Sequence, residues 1–252
     1  MENILIFFLG AIFASFIHLY VMRTLKGESI IKPRSHCDNC GHQLKFYELV
    51  PVISFIIQKG KCTNCKSKIG LSSLIAELLA GTLFVISYLK YGFTYETILG
   101  FVIAMLLISI IISDFKEMII LDSSLATALI LITILKFLIG GFLGLYKGFL
   151  YGIFGFVLMF LIKIIGDAVF KKESLGGGDI KLAFLIGFVL PYQHFLIVLM
   201  AASFIALPYA LYTSMSKKEH ALAYGPFLMI GFFLAFLFQS EITQLFDVLF
   251  AI

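Results

Sequence analysis

Leu175-Gly176-Gly177-Gly178-Asp179-Ile180-Lys181 stands where a polar loop runs into an apolar segment that continues to Tyr192. This junction decides how the chain is read. A carboxylate at the edge of an apolar span is costly, and such a group marks a functional site by default. The three glycines before it lack side chains, so another backbone can approach closely and the loop is free to take positive φ. The bland alternative is that they only cap or start a helix. A matching carboxylate lies 65 residues earlier, in Ser113-Asp114-Phe115-Lys116, at the end of another apolar span. Two aspartates brought together share protons unequally, the arrangement by which an aspartic protease activates water. The Gly-x-Gly-Asp pattern alone is weak, because glycine before aspartate is also an ordinary turn.

Composition supplies the class. With 61% apolar residues, 28 phenylalanines and 13% charged residues among 252, and a mean hydropathy of +1.04, the chain reads as an all-α polytopic membrane protein. Apolar spans fall at Ile4 to Met22, Ser72 to Leu89, Ile98 to Ser113, Ser123 to Ile139, Phe149 to Ile165, Ile180 to Tyr192, Phe195 to Tyr212 and Leu222 to Gln239, eight in all. The first has no basic segment before it and reads as a retained helix rather than a cleaved signal. The sixth is short, roughly 20 Å of helix. Placing loops 23–71, 114–121, 166–181 and 213–220 on one side, with Lys163, collects 16 of the 19 Lys and Arg there. Basic loops mark the cytoplasmic side, so both termini are expected outside, and Asp114 and Asp179 share the cytoplasmic face. Three parts are expected: the first membrane helix (1–22), a polar cytoplasmic domain (23–71) and a seven-helix membrane core (72–252).

The polar domain holds all four cysteines, as Cys37-Asp38-Asn39-Cys40 and Cys62-Thr63-Asn64-Cys65 with 21 residues between the pairs. Two such knuckles aim four thiolates at one centre, for which zinc is the usual occupant. Two disulfides or four free thiols are the alternatives; a reducing cytoplasm disfavours the first and the paired spacing the second. A closed four-sulfur set leaves no open coordination position, so the metal is read as structural. The loop carries nine basic and three acidic residues. That balance points to anionic lipid beside the membrane rather than to nucleic acid.

These residues give the chain a resemblance to the type IV prepilin peptidases. Shared features are Ser15-Phe16 and Arg23, Ser35-His36-Cys37, Pro51-Val52-Ile53-Ser54-Phe55, Lys61-Cys62, Glu77-Leu78-Leu79-Ala80-Gly81, Asp114, Asp122, Gly176 to Lys181, and Tyr224-Gly225-Pro226-Phe227-Leu228. The family commonly has Gly-Ser-Phe-Leu-Asn where this chain has Ala14-Ser15-Phe16-Ile17-His18. The resemblance implies Asp114 and Asp179 as catalytic pair. It also implies prepilin or competence-type pseudopilin substrates with a short basic leader, in a bacterial cell membrane. In many members it implies N-methylation of the new N-terminus with S-adenosylmethionine. No strand, Gly-rich turn and helix in sequence supports that second activity independently.

Other residues carry paired readings. Asp122 opens the fourth span, as an N-cap or a support for the pair. Glu77 is read as an ion-paired or snorkelling group, or as part of the site. Glu28, Glu48, Glu77 and Glu117 are the acids that could face a basic leader. Gly225-Pro226 is either a wall of the substrate path or a simple kink. Gly140, Gly144, Gly148 and Gly152 are packing or turn residues. His18 and His36 are read as structural. A presenilin-type protease, and a non-enzymatic transporter or assembly scaffold bearing a zinc loop, are the competing classes. Substrate identity and oligomeric state are left open.

Overall fold

The computed structural model describes residues 1–171, 173–215 and 223–250. The expected basic loop 213–220 from Ser216 onward, Lys172, and the start of the last span at Leu222 lie outside them. Among the described residues the protein is helical, with only two isolated β-bridges. It divides into two units, Met1–Phe93 and Thr94–Ile252.

The first unit pairs α1 (Glu2–Leu25) with α3 (Leu71–Tyr91). Tyr88 donates to the Glu2 carboxylate at 2.7 Å near one end, and His18 meets the Ser72 hydroxyl at 3.0 Å near the other, so the two run antiparallel. Small residues set their closeness. Ala11, Ala14 and Ala80 are fully buried, and a methyl group built on Gly10 would lie 2.8 Å from the Ala80 carbonyl oxygen. Without a hydrophobic drive between helices in lipid, such backbone approach is what holds a pair together. Between α1 and α3 lies the cysteine loop, which contains a 3-10 turn at Phe46–Glu48 and the short α2 (Ile53–Ile57).

The second unit runs α4 (Tyr95–Glu117), α5 (Asp122–Phe170), α6 (Gly177–Val189), α7 (Tyr192–Met215), α8 (Gly225–Leu237) and α9 (Gln239–Phe250). At its centre are α6 and α8, whose residues are buried along almost their whole length. Packing of α5 on α6 follows a glycine stripe. Methyl groups on Gly148 and Gly155 would lie 2.7 and 2.6 Å from the carbonyl oxygens of Phe188 and Ala183, and one on Gly187 would collide with that of Tyr151. Gly187→Ala is therefore expected to force the two helices apart, at a cost of about 1–3 kcal/mol. A lowered midpoint in a detergent thermal melt checks this.

Among the described residues, five helices are long and apolar enough to cross a membrane, or six if the α8–α9 pair, bent by 78°, counts as one span. Each of the eight expected segments overlaps a helix, but their number and spacing differ from expectation. The fourth and fifth are joined: residues 140–148, expected as a loop, are helical, and α5 is broken only at Gly141 (φ 58°, ψ −156°). Its 49 residues would measure about 74 Å as one rod, more than twice the roughly 30 Å of a bilayer core. A glycine supplies the break because side-chain-bearing residues rarely adopt that conformation. Gly140 has open space around it, whereas Gly148 and Gly152 pack against α6. The short sixth span is α6 itself, 13 residues long, or about 20 Å.

Candidate active site and cysteine cluster

Four helix ends meet at one end of the second unit. Asp114 lies in the last turn of α4, which a left-handed Met118 closes by donating its N–H to the Asp114 carbonyl at 2.9 Å. Asp179 lies in the first turn of α6, with Gly176 as N-cap. Gly178 packs on the Ile120 side chain, and Gly225, the first residue of α8, packs on both Ile120 and Asp114. A methyl group on Gly225 would lie 3.0 Å from Asp114 Oδ2.

Both carboxylates are buried, Asp114 at 6% and Asp179 at 8% exposure. Main chain holds each one. The Gly225 N–H donates to Asp114, and the Gly176 N–H donates to Asp179, which is half of a capping box made with a glycine cap. The two are near enough for the charge of one to act on the other. Asp179 Oδ1 is buried with no hydrogen-bond partner among the described residues. A buried orphan oxygen is rare and calls for an explanation, of which a reacting group is one.

The glycines act differently from expectation. Gly176, Gly177 and Gly178 do not use positive φ. Gly176 and Gly178 serve close approach, to Asp179 and Ile120, while Gly177 has open space beside it. Pro226 is no kink: it occupies the first turn of α8, where a missing N–H costs nothing. Asp122 is not the N-cap of α5, a position taken by Leu121. Its carboxylate instead receives both hydrogen bonds of Lys181 Nζ, at 2.7 and 2.9 Å, tying the start of α5 to α6. Both partners are more than half exposed, so the pair stabilises by no more than about 1 kcal/mol. Sequence reading gave Lys181 and Ile120 no role, nor Ser203, whose hydroxyl lies 3.3 Å from that of Tyr224. An Asp and a Lys opening two adjacent spans were the available signal for the ion pair; nothing in the residue pattern marks Ser203.

In the first unit the four cysteine sulfurs lie within 4.8 Å of one another. The knuckles are near-copies. Cys37 and Cys62 donate their N–H groups to His42 and Ser67 at 2.9 Å each, and the bridges His36–Gln43 and Lys61–Lys68 close the two hairpins. Each knuckle also reaches across: the Asn39 amide donates to Cys65 Sγ and the Asn64 amide to Cys40 Sγ, both at 3.7 Å. Sulfurs of opposite knuckles stand 3.8 and 4.0 Å apart, Cys37 to Cys65 and Cys40 to Cys62. Those spacings match the edge of a tetrahedron with about 2.3 Å metal–sulfur bonds. The donor set therefore fits a metal ion. His36 is turned to the Arg34 carbonyl at 2.9 Å and adds no ligand.

Two of the glutamates that could face a basic leader are internal. Glu48, 6% exposed, accepts the Lys45 N–H at 2.7 Å, the Thr63 hydroxyl, and His42 Nε2 at 3.3 Å, so it locks one knuckle to the other. Glu77 accepts the Val52 N–H at 2.8 Å and the Ser73 hydroxyl at 3.0 Å. Val52 sits at φ 62°, unusual for a β-branched residue, and this bond helps hold it. Glu77→Ala leaves that amide unpaired, a cost of about 1–3 kcal/mol. Faster proteolysis within residues 45–60, with Glu77→Gln intermediate, is the expected readout.

Comparison with known proteins agrees with this anatomy. Residues 8–91, which hold the cysteine cluster and Glu77, match the bacterial peptidase A24 N-terminal domain. Residues 101–211, which hold both aspartates, match the type IV leader peptidase family. A prepilin leader peptidase/N-methyltransferase of Bacillus subtilis (strain 168) is 33% identical over 250 residues, covering 95% of this chain and 96% of that protein. One of the same description from Myxococcus xanthus is 31% identical over 201 residues, where the match covers 79% of this chain and 59% of the relative. One from Neisseria gonorrhoeae is 28% identical over 216 residues, with 86% and 75% covered. The chain belongs to the type IV leader peptidase family. No solved structure matches it.

Proposed function

We propose that this protein is a membrane aspartic endopeptidase that removes the short basic leader from prepilin or pseudopilin precursors at the cytoplasmic face, and N-methylates the new N-terminus. The observation that carries the peptidase reading is the juxtaposition of buried Asp114 and Asp179, each held by one backbone N–H. In such a pair the ionised carboxylate takes a proton from water while the protonated one donates a hydrogen bond to the scissile carbonyl. The roles exchange when the tetrahedral intermediate collapses. Gly225 and Gly178 let Ile120 pack closely against the two helix starts beside the carboxylates.

The break at Gly141 supports eight crossings, with the two limbs of α5 counted separately and α6 and α8 as short spans within the bundle. The basic loops support a site and a cysteine domain on the cytoplasmic side, with both termini outside, in a bacterial cell membrane. Zinc is the metal we assign to Cys37, Cys40, Cys62 and Cys65, and it would fold the loop rather than take part in hydrolysis. The methylation reading rests on the relatives' description.

The test is incubation of the purified chain in lipid with a prepilin-type substrate, followed by mass spectrometry of the product. Cleavage between the basic leader and the apolar helix is expected, with a methyl group on the new N-terminus when S-adenosylmethionine is supplied. An uncut substrate in the presence of correctly inserted protein would overturn the peptidase reading in favour of a scaffold or transporter.

A further inference from the structure

The cysteine loop carries its apolar residues inside out. On α2, Ile53, Ile56 and Ile57 follow the i, i+3, i+4 spacing that normally faces a core, yet they are 41%, 65% and 74% exposed. The 3-10 turn that packs against α2 adds Phe46 and Tyr47, 87% and 62% exposed. Small polar domains do not leave such a patch to water without a partner.

Position says what that partner is. Glu77, which holds the Val52 N–H, is the seventh residue of α3, about 9 Å along the helix from its start. So α2 begins alongside the second turn of a membrane-crossing helix, not beyond its end. Charge points the same way. Residues 43–68 contain five lysines and one acid, and that acid, Glu48, is buried and bonded internally. Lys45 Nζ lies 5.9 Å over the Tyr47 ring, the pairing of ammonium and aromatic that suits a headgroup boundary.

We infer that the rim formed by Phe46, Tyr47, Ile53, Ile56 and Ile57 is seated in the headgroup–acyl boundary of an anionic membrane surface, so that the cysteine domain is anchored to the bilayer. Amphipathic elements bury their apolar face about 5–10 Å into that zone, and nearby lysines add attraction to anionic lipid.

The chain contains no tryptophan, so one introduced ring is the only indole emitter. Full-length Phe46→Trp and Ile57→Trp would each be placed in vesicles of phosphatidylcholine and phosphatidylglycerol, with metal content checked to confirm the folded loop. Lipids brominated near the headgroup should remove about half or more of the emission, as expected at interfacial depth; lipids brominated near the chain ends should remove less, and iodide should have little access. Emission untouched by either lipid overturns the proposal, whether iodide reaches the ring, which places it in water, or does not, which places it on a protein surface. Stronger quenching by the deep bromines also overturns it, because the rim would then lie in the hydrocarbon.

Discussion

Asp114→Asn and Asp179→Asn should each remove leader cleavage, by roughly 10²–10⁴-fold or more. Asparagine keeps the size of the side chain and still accepts a hydrogen bond from the Gly225 or Gly176 N–H. It can neither take a proton from water nor exchange one with its partner. The amide therefore removes the chemistry with little change of shape. Residues acting as a unit are non-additive, so the double variant should be no slower than the worse single one. The measurement is substrate turnover with each variant shown to be inserted and metal-loaded. A single variant that cuts at the wild-type rate would make that aspartate structural.

Loss of the metal should have the next largest effect, on the fold of residues 23–71. The loop's buried residues are few, and structural zinc in small modules supplies about 10–16 kcal/mol of apparent binding energy that is also folding energy. Cys62 is the most buried of the four cysteines, at 3% exposure. Cys62→Ser or a strong chelator is expected to release one zinc per chain and open the loop to protease, with α1 and α3 left paired. Acid should act in the same direction. Hydrogen bonds from Ser67 bring the Cys65 thiol from 9.0 down to about 5. A native pKa below the unfolded one favours the folded loop fully above pH 9, and this advantage is lost as the pH falls through about 5. The Lys45 N–H and the Thr63 hydroxyl hold Glu48 below the usual carboxylate range, so its contribution is present above that range and is lost at lower pH still. Metal content and loop proteolysis followed across this window check the prediction.

What the sequence reveals and what it hides divide along physical lines. Apolar runs and paired cysteines are local patterns, so the membrane class, the helical segments and the clustering of Cys37, Cys40, Cys62 and Cys65 could be read directly. Whether α5 is one element or two could not, because a glycine-rich stretch without proline reads as a loop until a single residue, Gly141, is seen to take the only break. The internal bonds of Glu48 and Glu77 could not be read locally, because their partners, Thr63 and the Val52 amide, are 15 and 25 residues away. Pro226 could be read as a kink because proline suits both a bend and the start of a helix; its place in the first turn of α8 is the second of these. Asp122 illustrates the same limit, since a carboxylate beginning a helix is ordinarily its cap and here serves Lys181 instead.

The supports of the two proposed reacting groups have a consequence for how such an enzyme is dissected. Asp114 and Asp179 are steadied by the amides of Gly225 and Gly176, groups that every amino acid except proline also carries. An alanine scan leaves both amides in place and reports any loss at these glycines as crowding. Replacing the amide by an ester, which deletes the donor and adds no atom, is the substitution that would expose how much of the alignment the main chain provides.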